Sequence, residues 1–491
     1  MAILVASFSG LGPIEEDCGY LYGPHLPLVG FTVSRADRSA AMTEKLHDEL
    51  CNHLIRADGQ EDLCFALWRP SHGSTRLSAL LYRIILPDPK DRQVHRNVSF
   101  NPQYLERALG EAAAENAGLA LLHSHPHPGW QAMSPDDVAA EQNNAGAAYG
   151  ATGLPFVGLT VGNDGSWSAR FWERVAPRKY QRLWCSTVRV VGDRLRVTYM
   201  DKQAPRPRFR EELRRTISAW GASAQEHLTR LHIGLVGAGS VGDLIAEALC
   251  RTGFEDLTGI DFDYIKKHNL DRLSHATLAD IGKLKVDLLA EVLPSHATAE
   301  NFQFSAVPLG VHDEEGFREA LNCDLLLSCV DRPWPRHILN FISTAHLIPV
   351  VDGGISVRTN RSGHLAAADW RAHISTPGRA CLQCLGQYDP GMVQAERQGL
   401  LDDPKYIEGL PGDHPLRQNE NVFGFSMACA SQQFLQMLAF VLAPLGLPNL
   451  GAQHYHFVGG FLEPQVYPTC HPECLFKNIV AQGDHCRFSV L

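Results

Sequence analysis

Residues 231–242 read Leu-His-Ile-Gly-Leu-Val-Gly-Ala-Gly-Ser-Val-Gly and decide the fold of the second half of the chain. The apolar residues before the glycines predict a short buried strand, and residues 241–251 have the apolar spacing of a helix. Gly237, Gly239 and Gly242 allow a tight turn and a close approach of backbone N–H groups to phosphate at the helix N-terminus. The stretch therefore predicts a strand–turn–helix unit of the kind that binds nucleotides.

Strands and helices alternate on both sides of this unit. The predicted strands are 231–236, 257–260, 325–329 and 348–351, and the predicted helices are 209–220, 241–251, 283–292 and 337–345. Such alternation is typical of a doubly wound, mostly parallel sheet. The Pro- and Arg-rich segment 203–209 precedes this region and is the best candidate for a linker.

Charged residues after the predicted strands favour a triphosphate site over a nicotinamide site. Residues 261–272 read Asp-Phe-Asp-Tyr-Ile-Lys-Lys-His-Asn-Leu-Asp-Arg, so that Asp261 and Asp263 open a polar cluster. Asp261 suits a ribose hydroxyl, in either class of site. Arg272 and Lys285 can neutralise phosphate charge, and Asp331, after the strand 325–329, can hold magnesium. We expect a site for ATP with magnesium.

The first half of the chain has a different pattern. We expect residues 1–35 to be a loose lead-in and residues 36–202 to be a globular region separate from the one that follows the linker. Its predicted strands are 63–68, 79–86, 119–125, 156–161 and 167–174, with a hairpin over 188–199 that turns at Gly192-Asp193, and its predicted helices are 43–54, 104–117 and 134–144. We therefore expect two α/β domains.

The segment that begins at His123 reads His-Ser-His-Pro-His-Pro-Gly-Trp-Gln-Ala-Met-Ser-Pro-Asp-Asp. His123 and His125 lie two apart on a predicted strand, which places both imidazoles on one face. Ser134 is a good helix N-cap and puts Asp137 in the first turn. Two histidines and a carboxylate leave a fourth zinc position open for water, the arrangement of a catalytic site. Glu61 is the candidate base for that water.

The cysteines of the second half predict a structural zinc site. Cys381 and Cys384 form a Cys-x-x-Cys pair, and Cys470 and Cys474 are the candidate partners. The second pair has three intervening residues, so His471, His485 and Cys486 are alternative ligands. Residues 385–427 contain no cysteine, and Cys429 falls in an apolar helix where a buried, inert thiol is favoured.

The segment from His123 to Asp137 resembles the JAMM motif of the JAB/MPN metalloproteases, which are zinc deubiquitinases. This resemblance implies an α-β-α sandwich domain with His123, His125 and Asp137 as zinc ligands and Glu61 as general base. It further implies Ser134 as the donor that stabilises the tetrahedral oxyanion. The substrate it implies is a peptide or isopeptide bond after the C-terminal glycine of a ubiquitin-like protein.

The region from 210 to the C-terminus resembles the ThiF/MoeB family, which includes the ubiquitin-activating enzymes. The resemblance implies a Rossmann-like domain that adenylates a C-terminal glycine with ATP. It assigns triphosphate contacts to Asn269 and Arg272 and magnesium to Asp331. It also matches Arg215 to an arginine that reaches into the ATP site of a partner subunit, and so implies a homodimer. Because the family's transfer cysteine is missing between 385 and 427, a thioester on this chain is not expected. The adenylate could pass to a thiol of a separate protein, and a hydroxyl acceptor on this chain stays open as the alternative.

Together the two resemblances imply a bifunctional enzyme of a bacterial-type ubiquitin-like pathway, found with a conjugating enzyme and often in defence settings. Two alternatives stay open. The chain could activate and process a sulfur-carrier protein for cofactor or cysteine synthesis, or it could be a catalytically silent protein that only binds ubiquitin-like partners.

Composition excludes several other classes. The chain has 491 residues, of which 45% are apolar and 20% charged, as in a globular protein of two or three domains. A net charge of −10 argues against general nucleic-acid binding, and the apolar segment 437–447 is too short to span a membrane. Thirteen cysteines, an odd number, favour a reducing cytoplasm. Residues 1–12 have no basic lead, so no signal peptide is expected.

Overall fold

A computed structural model describes residues 37–95, 97–360, 362–403, 420–447, 451–466 and 469–486. The predicted lead-in at 1–35 therefore lies outside the described residues. The chain forms two compact units, and both are built from separated stretches of sequence. The first unit contains Met1–Arg38, Leu50–Leu67 and Arg83–Cys185, and the second contains Ser39–Glu49, Trp68–Tyr82 and Ser186–Leu491.

The described residues between 37 and 199 form runs of strands that are interrupted by helices. The strands are β1 (Asp37–Thr43), β2 (Leu63–His72), β3 (Arg76–Ile85), β4 (Arg92–His95), β5 (Asn97–Phe100), β6 (Gly118–Ser124), β7 (Phe156–Val161), β8 (Trp167–Ala176), β9 (Lys179–Trp184), β10 (Thr187–Val191) and β11 (Leu195–Tyr199). The helices are α1 (Glu44–Leu54), α2 (Pro102–Ala114) and α3 (Pro135–Thr152).

The remaining elements belong to the second unit. Its helices are α4 (Arg214–Trp220), α5 (Ala222–Thr229), α6 (Ser240–Thr252), α7 (Lys285–His296), α8 (Glu314–Ala320), α9 (Pro333–Ala345), α10 (Pro390–Arg397) and α11 (Phe423–Leu442). Its strands are β12 (His232–Val236), β13 (Asp256–Ile260), β14 (Gln303–Val307), β15 (Leu325–Ser328), β16 (Val350–Thr359), β17 (Leu365–Ser375), β18 (Gly451–His456) and β19 (Phe461–Val466).

In the first unit, neighbouring strands follow the order β2-β6-β7-β8-β9. Strand β6 pairs with β7 in parallel, and β8 and β9 continue the sheet as antiparallel strands. Every residue of β6 and β7 is buried, as their apolar runs predict. Strand β6 ends at Ser124, one residue earlier than the sequence predicts, so His125 follows the strand.

The second unit contains strands from both halves of the sequence. Strands β11 and β10 form the predicted hairpin around Gly192, and β10 pairs with β1 in parallel. Strand β1 was not predicted, and the helix predicted from Thr43 begins at Glu44. The helix predicted from 209 begins with a short 3-10 turn, Glu211–Leu213, and becomes α-helical at Arg214.

The main sheet of the second unit has eight strands in the order β14-β13-β12-β15-β16-β17-β18-β19. The strands from β14 to β16 are parallel. This agrees with the predicted mostly parallel sheet, although β14 itself was not predicted. Strands β17, β18 and β19 are antiparallel and were not predicted. The strand order reverses between β12 and β15, and ligands bind at such a switch point beyond the carboxyl ends of the strands.

Helix α11 packs on this sheet. It is the one helix among the described residues that is long and apolar enough to cross a membrane, and half of its most apolar window is buried. Its polar side chains bond to the sheet. The Gln433 amide donates to the carbonyls of Ser328 (2.9 Å) and Val351 (2.7 Å), and Gln436 donates to Gly451 (3.1 Å). Buried, satisfied amides of this kind fit the predicted core helix.

Candidate functional sites

In the first unit, His123, His125 and Asp137 lie together at the end of β6 and the start of α3. The Nε2 atoms of the two histidines are 3.2 Å apart. The Asp137 carboxylate lies 3.8 Å from His123 Nε2 and 3.5 Å from His125 Nε2. His123 and Asp137 are fully buried, and His125 is nearly so. The structure therefore brings all three predicted zinc ligands together.

The electrostatics of this group suit a cation. Burial lowers the pKa of His123 to about 3, so its imidazole is neutral and can bind metal. Burial alone would raise the pKa of Asp137, but hydrogen bonds with His125 and Ser134 lower it below its usual range. His123 Nδ1 and Asp137 Oδ1 are buried without a hydrogen-bond partner among the described residues.

Zinc fits these positions. Ligand atoms about 2.0–2.1 Å from a tetrahedral zinc ion lie about 3.3 Å from one another. The separations of 3.2, 3.5 and 3.8 Å are close to that value. Two neutral imidazoles and one carboxylate are also the donor set of many catalytic zinc sites.

Ser134 fixes the carboxylate of this site. It is the N-cap of α3, and its hydroxyl accepts a hydrogen bond from Asp137 N–H (3.1 Å). In return, the Ser134 N–H donates to Asp137 Oδ2 (2.8 Å). This capping box holds the Asp137 side chain toward the histidines, as the Ser-Pro-Asp-Asp sequence predicts.

Glu61 lies just before β2 and is 6% exposed. Its Oε2 atom has no hydrogen-bond partner among the described residues. Burial raises the pKa of Glu61, and the nearby charge of Asp137 raises it further. A buried acceptor beside an open metal position is what a general base for metal-bound water requires.

Three buried residues near His123 were not predicted from the sequence: Thr160, Arg170 and Glu141. The Thr160 hydroxyl lies 3.3 Å from His123 Nε2 and accepts a hydrogen bond from Arg170 (2.6 Å). Arg170 forms a two-pronged ion pair with Glu141, and both side chains are fully buried. Glu141 lies four residues after Asp137 on α3, so helical spacing could have placed it on the same face.

In the second unit, Cys381, Cys384, Cys470 and Cys474 converge. The sulfurs of Cys381 and Cys474 are 3.7 Å apart, and sulfurs about 2.3 Å from a tetrahedral zinc ion lie about 3.8 Å apart. The hydrogen bond with Cys470 lowers the pKa of Cys381 to about 5, which favours the thiolate that zinc binds.

The glycine loop lies where β12 meets α6. Gly237 has φ +95°, and a Cβ there would lie 2.6 Å from the Cys329 carbonyl. A Cβ on Gly242 would lie 2.0 Å from the Gly237 carbonyl, so both positions require glycine for packing. A Cβ on Gly239 would meet nothing within 4 Å. Gly239 is therefore the glycine with open space above its backbone.

Asp261 connects this loop to the end of β13. Its carboxylate accepts hydrogen bonds from the backbone N–H groups of Ala238 (2.6 Å) and Asp263 (2.7 Å). Lys285, the first residue of α7, pairs with Asp263 at 2.6 Å and lies 4.0 Å from Asp261. Lys285 is thus held beside the glycine loop, where its ammonium group can meet phosphate.

The other predicted ATP-site residues have local partners or are exposed. Asn269 accepts from Lys266 N–H (2.9 Å), and Arg272 pairs with Asp271 (2.8 Å). Asp331 is exposed three residues after β15, and Arg215 is exposed on α4. Neither Arg272 nor Arg215 forms an ion pair with Asp261 or Asp263, the partners of Lys285.

Residues 212–454 match the model of the ThiF family. This match confirms the ThiF-type domain predicted from the glycine loop and the charged cluster. The tRNA threonylcarbamoyladenosine dehydratase of Escherichia coli is 36% identical over 83 residues, which are 17% of this chain and 31% of that protein. Ubiquitin-like modifier-activating enzyme 5 of Drosophila mojavensis is 29% identical over 178 residues, 33% of this chain and 41% of that protein. The chain spans less than half the length of either relative.

Among solved structures, E. coli MccB with ATP is similar to this chain at 15% identity, with a TM-score of 0.42. The similarity covers 54% of this chain and 74% of MccB. E. coli MccB with selenomethionine-labelled MccA gives the same identity, coverage and TM-score.

Proposed function

We propose that the ThiF-family domain uses ATP to adenylate the C-terminal carboxylate of a ubiquitin-like protein. The observation that carries this proposal is the meeting of Gly239, Asp261 and Lys285 at the carboxyl edge of the parallel strands. The open backbone at Gly239 and the N-terminus of α6 suit phosphate, and the Lys285 ammonium adds positive charge. The similarity to ubiquitin-like modifier-activating enzyme 5 supports a ubiquitin-like protein as the substrate.

In the proposed reaction, an oxygen of the glycine carboxylate attacks the α-phosphorus of ATP. The bond from that phosphorus to the oxygen bridging to the β-phosphate breaks, and pyrophosphate leaves with the electron pair. Lys285 and Arg272 would offset the charge on the phosphates, and Asn269 would orient them. Magnesium, when bound, would offset pyrophosphate charge. Asp331, exposed beyond the end of β15, would hold it.

ATP–pyrophosphate exchange tests this activity. The intact chain should exchange pyrophosphate only in the presence of a glycine-ended ubiquitin-like protein, and Asp331→Ala should abolish exchange. Asp256→Ala is the matched control, because Asp256 starts β13 at the opposite edge of the sheet. Equal exchange in the wild type and Asp331→Ala would contradict the assigned role of Asp331. A lack of exchange with every glycine-ended modifier would contradict the substrate class.

We further propose that the first unit is a zinc hydrolase that cuts after the same C-terminal glycine. The support is the separation of 3.2–3.8 Å among the atoms of His123, His125 and Asp137, with Glu61 buried beside them. Zinc would polarise the scissile carbonyl and activate water. Glu61 would take the proton of that water and pass it to the leaving amine. Ser134 would donate a hydrogen bond to the oxyanion.

Cleavage of a ubiquitin-like protein with a C-terminal extension tests the hydrolase. Glu61→Gln should lose cleavage while the zinc content stays at the wild-type level, because Glu61 is not a ligand. Glu49→Gln changes an exposed carboxylate and should cut normally. If Glu61→Gln cuts at the wild-type rate, Glu61 is not the base. If Asp137→Asn retains both zinc and activity, the proposed centre is wrong.

The two activities fit one pathway. Hydrolysis would expose the glycine of a precursor or release the modifier from a target, and adenylation would activate the exposed carboxylate. The acceptor would be a thiol of a separate conjugating protein. Among the described residues, the Cys429 thiol has its pKa raised to about 12 by burial, so it is a poor nucleophile. A structural zinc at Cys381, Cys384, Cys470 and Cys474 would stabilise the domain.

A further inference from the structure

Three side chains from separate segments of the second unit meet away from the glycine loop. Glu247 lies on α6, His275 lies in the connection between β13 and α7, and His296 is the last residue of α7. Glu247 Oε2 is 3.2 Å from His275 Nε2 and 2.7 Å from His296 Nδ1. One ligand atom from each residue lies within 4.8 Å of the other two.

The orientation of His275 is fixed by a carboxylate on its other nitrogen. Asp243 Oδ1 is 2.7 Å from His275 Nδ1, and Asp243 Oδ2 accepts from the Ser274 N–H (2.7 Å) and hydroxyl (2.5 Å). Asp243 and His275 are both almost fully buried. A carboxylate on Nδ1 directs Nε2 toward Glu247, and metal-ligating histidines commonly have this outer carboxylate.

The charges around the cluster also suit a dication. Asp243 and Glu247 bring two negative charges, and Arg251 offsets one of them through Glu247 Oε1. With neutral imidazoles the group carries a net charge of about −1, which attracts a divalent cation and becomes +1 when the cation is bound. Two imidazoles and one carboxylate are borderline ligands that suit zinc, cobalt and nickel more than calcium or magnesium.

We propose that Glu247, His275 and His296 bind a divalent transition metal of the zinc class, with Asp243 as the positioning residue of His275. Water would complete the coordination. The cation would join the far end of α7, whose first residue is Lys285, to α6, whose N-terminus follows the glycine loop. It would also hold the segment that follows Arg272. This site is separate from the proposed catalytic zinc and from the cysteine cluster.

The competing explanation is a protonated His275 that bridges the two carboxylates. The hydrogen bond to Asp243 raises the pKa of His275, as that arrangement requires. This competing explanation needs no cation. It predicts the same zinc content in the wild type and in variants that lack His275 and His296. The two explanations therefore predict different numbers of zinc ions per chain.

The test uses the full chain, loaded with Zn²⁺ and dialysed, with metal counted by elemental analysis. The double variant His275→Gln/His296→Gln should hold one zinc per chain fewer than the wild type, whatever number the other sites hold. His268→Gln is the matched control, because His268 is exposed in the same region and lies outside the cluster. Equal zinc content in the double variant and the wild type would overturn the proposal.

A second measurement on the wild type keeps the proposal testable if the double variant does not fold. Diethyl pyrocarbonate modifies accessible imidazoles, and His296 has a side chain that is 29% exposed. Zn²⁺ should slow the modification of His296 at least several-fold and leave that of His268 unchanged, as read by peptide mass mapping. Equal modification of His296 with and without Zn²⁺ would contradict a metal site here.

Discussion

Arg76 donates a hydrogen bond to Asp324 across 2.7 Å, although 248 positions separate the two residues in the sequence. Arg189 pairs with the same carboxylate oxygen at 2.9 Å, and all three side chains are at most 5% exposed. Asp324 lies just before β15, whereas its two partners belong to β3 and β10. A chain cut at the predicted linker, 203–209, would lose both arginines and leave the Asp324 carboxylate buried without them.

Asp324→Asn should strongly destabilise the protein. The variant keeps the size of the side chain but leaves two buried guanidinium groups without their counter-charge, and breaking a buried pair in this way costs about 3–5 kcal/mol. Urea unfolding of the second unit should show this as a lower midpoint. Asp256→Asn is the control: Asp256 is half-exposed and 3.7 Å from His232, so its loss should cost less than about 1 kcal/mol. A similar small loss for Asp324→Asn would mean that the pair contributes little.

Stability should fall steeply in acid because of a second buried carboxylate. Burial alone would raise the pKa of Asp352, but Arg336, Arg371 and the Ser328 hydroxyl lower it from 3.8 to about 2. As the pH falls, Asp352 is therefore protonated at a lower pH in the folded state than in the unfolded state. The stabilisation is complete above about pH 4 and is lost as the pH falls from about 4 to 2. This linkage is worth roughly 2 kcal/mol.

Urea unfolding at pH 5, 4 and 3 would measure this dependence. The contribution of Asp352 to the free energy of unfolding should stay constant from pH 7 to 5 and decrease below pH 4. Asp352→Asn, although less stable at neutral pH, should show a shallower slope between pH 4 and 3. If the free energy of unfolding depends on pH equally in the variant and the wild type, the acid sensitivity comes from other carboxylates.

Short motifs predicted much of both sites, and long-range pairs could not be predicted. The His-x-His spacing and the Ser134 cap are local, so they placed His123, His125 and Asp137 correctly around one point. The glycine loop and the following acidic cluster are also local to one βαβ unit. The Arg76–Asp324 pair and the Glu141–Arg170 pair depend on which strands become neighbours, and residue spacing carries no such information.

The same limit explains the errors in the fold. Strands β17 and β18 are largely half-buried and have no long apolar run, so their antiparallel pairing could not be predicted from apolar runs. Strand β1 was not predicted, and only its last residue, Thr43, was given an element, the helix that follows. The local conformation of Arg272, which pairs with Asp271, likewise depends on neighbours that spacing does not specify.

Two glycines of the loop should respond differently to alanine. Gly242→Ala would place a methyl group 2.0 Å from the Gly237 carbonyl, and such overpacking costs about 1–3 kcal/mol. Gly239→Ala adds a methyl group to open space at ordinary φ, so thermal unfolding should match the wild type within a few degrees. The same methyl group would obstruct phosphate, so the KM for ATP in pyrophosphate exchange should rise at least tenfold. An unchanged KM in Gly239→Ala would place the phosphates elsewhere.

The resemblance to the ThiF/MoeB family implies that Arg215 acts on the ATP site of a partner subunit. Its side chain is exposed on α4, and it is not part of the Lys285 cluster of its own chain. We therefore expect Arg215→Ala to lower the rate of pyrophosphate exchange at least tenfold with no change in thermal unfolding. Arg214→Ala, the exposed neighbour, is the matched control.

A mixing experiment separates action in a partner from action within one chain. Arg215→Ala and Asp331→Ala, each nearly inactive, should recover activity when they are unfolded and refolded together. In a mixed dimer, one of the two sites has both Asp331 from one subunit and Arg215 from the other. Half of the dimers are mixed in a random exchange, so recovery should reach about a quarter of the wild-type rate. No recovery, in a mixture shown to exchange subunits, would mean that Arg215 acts within its own chain or not at all.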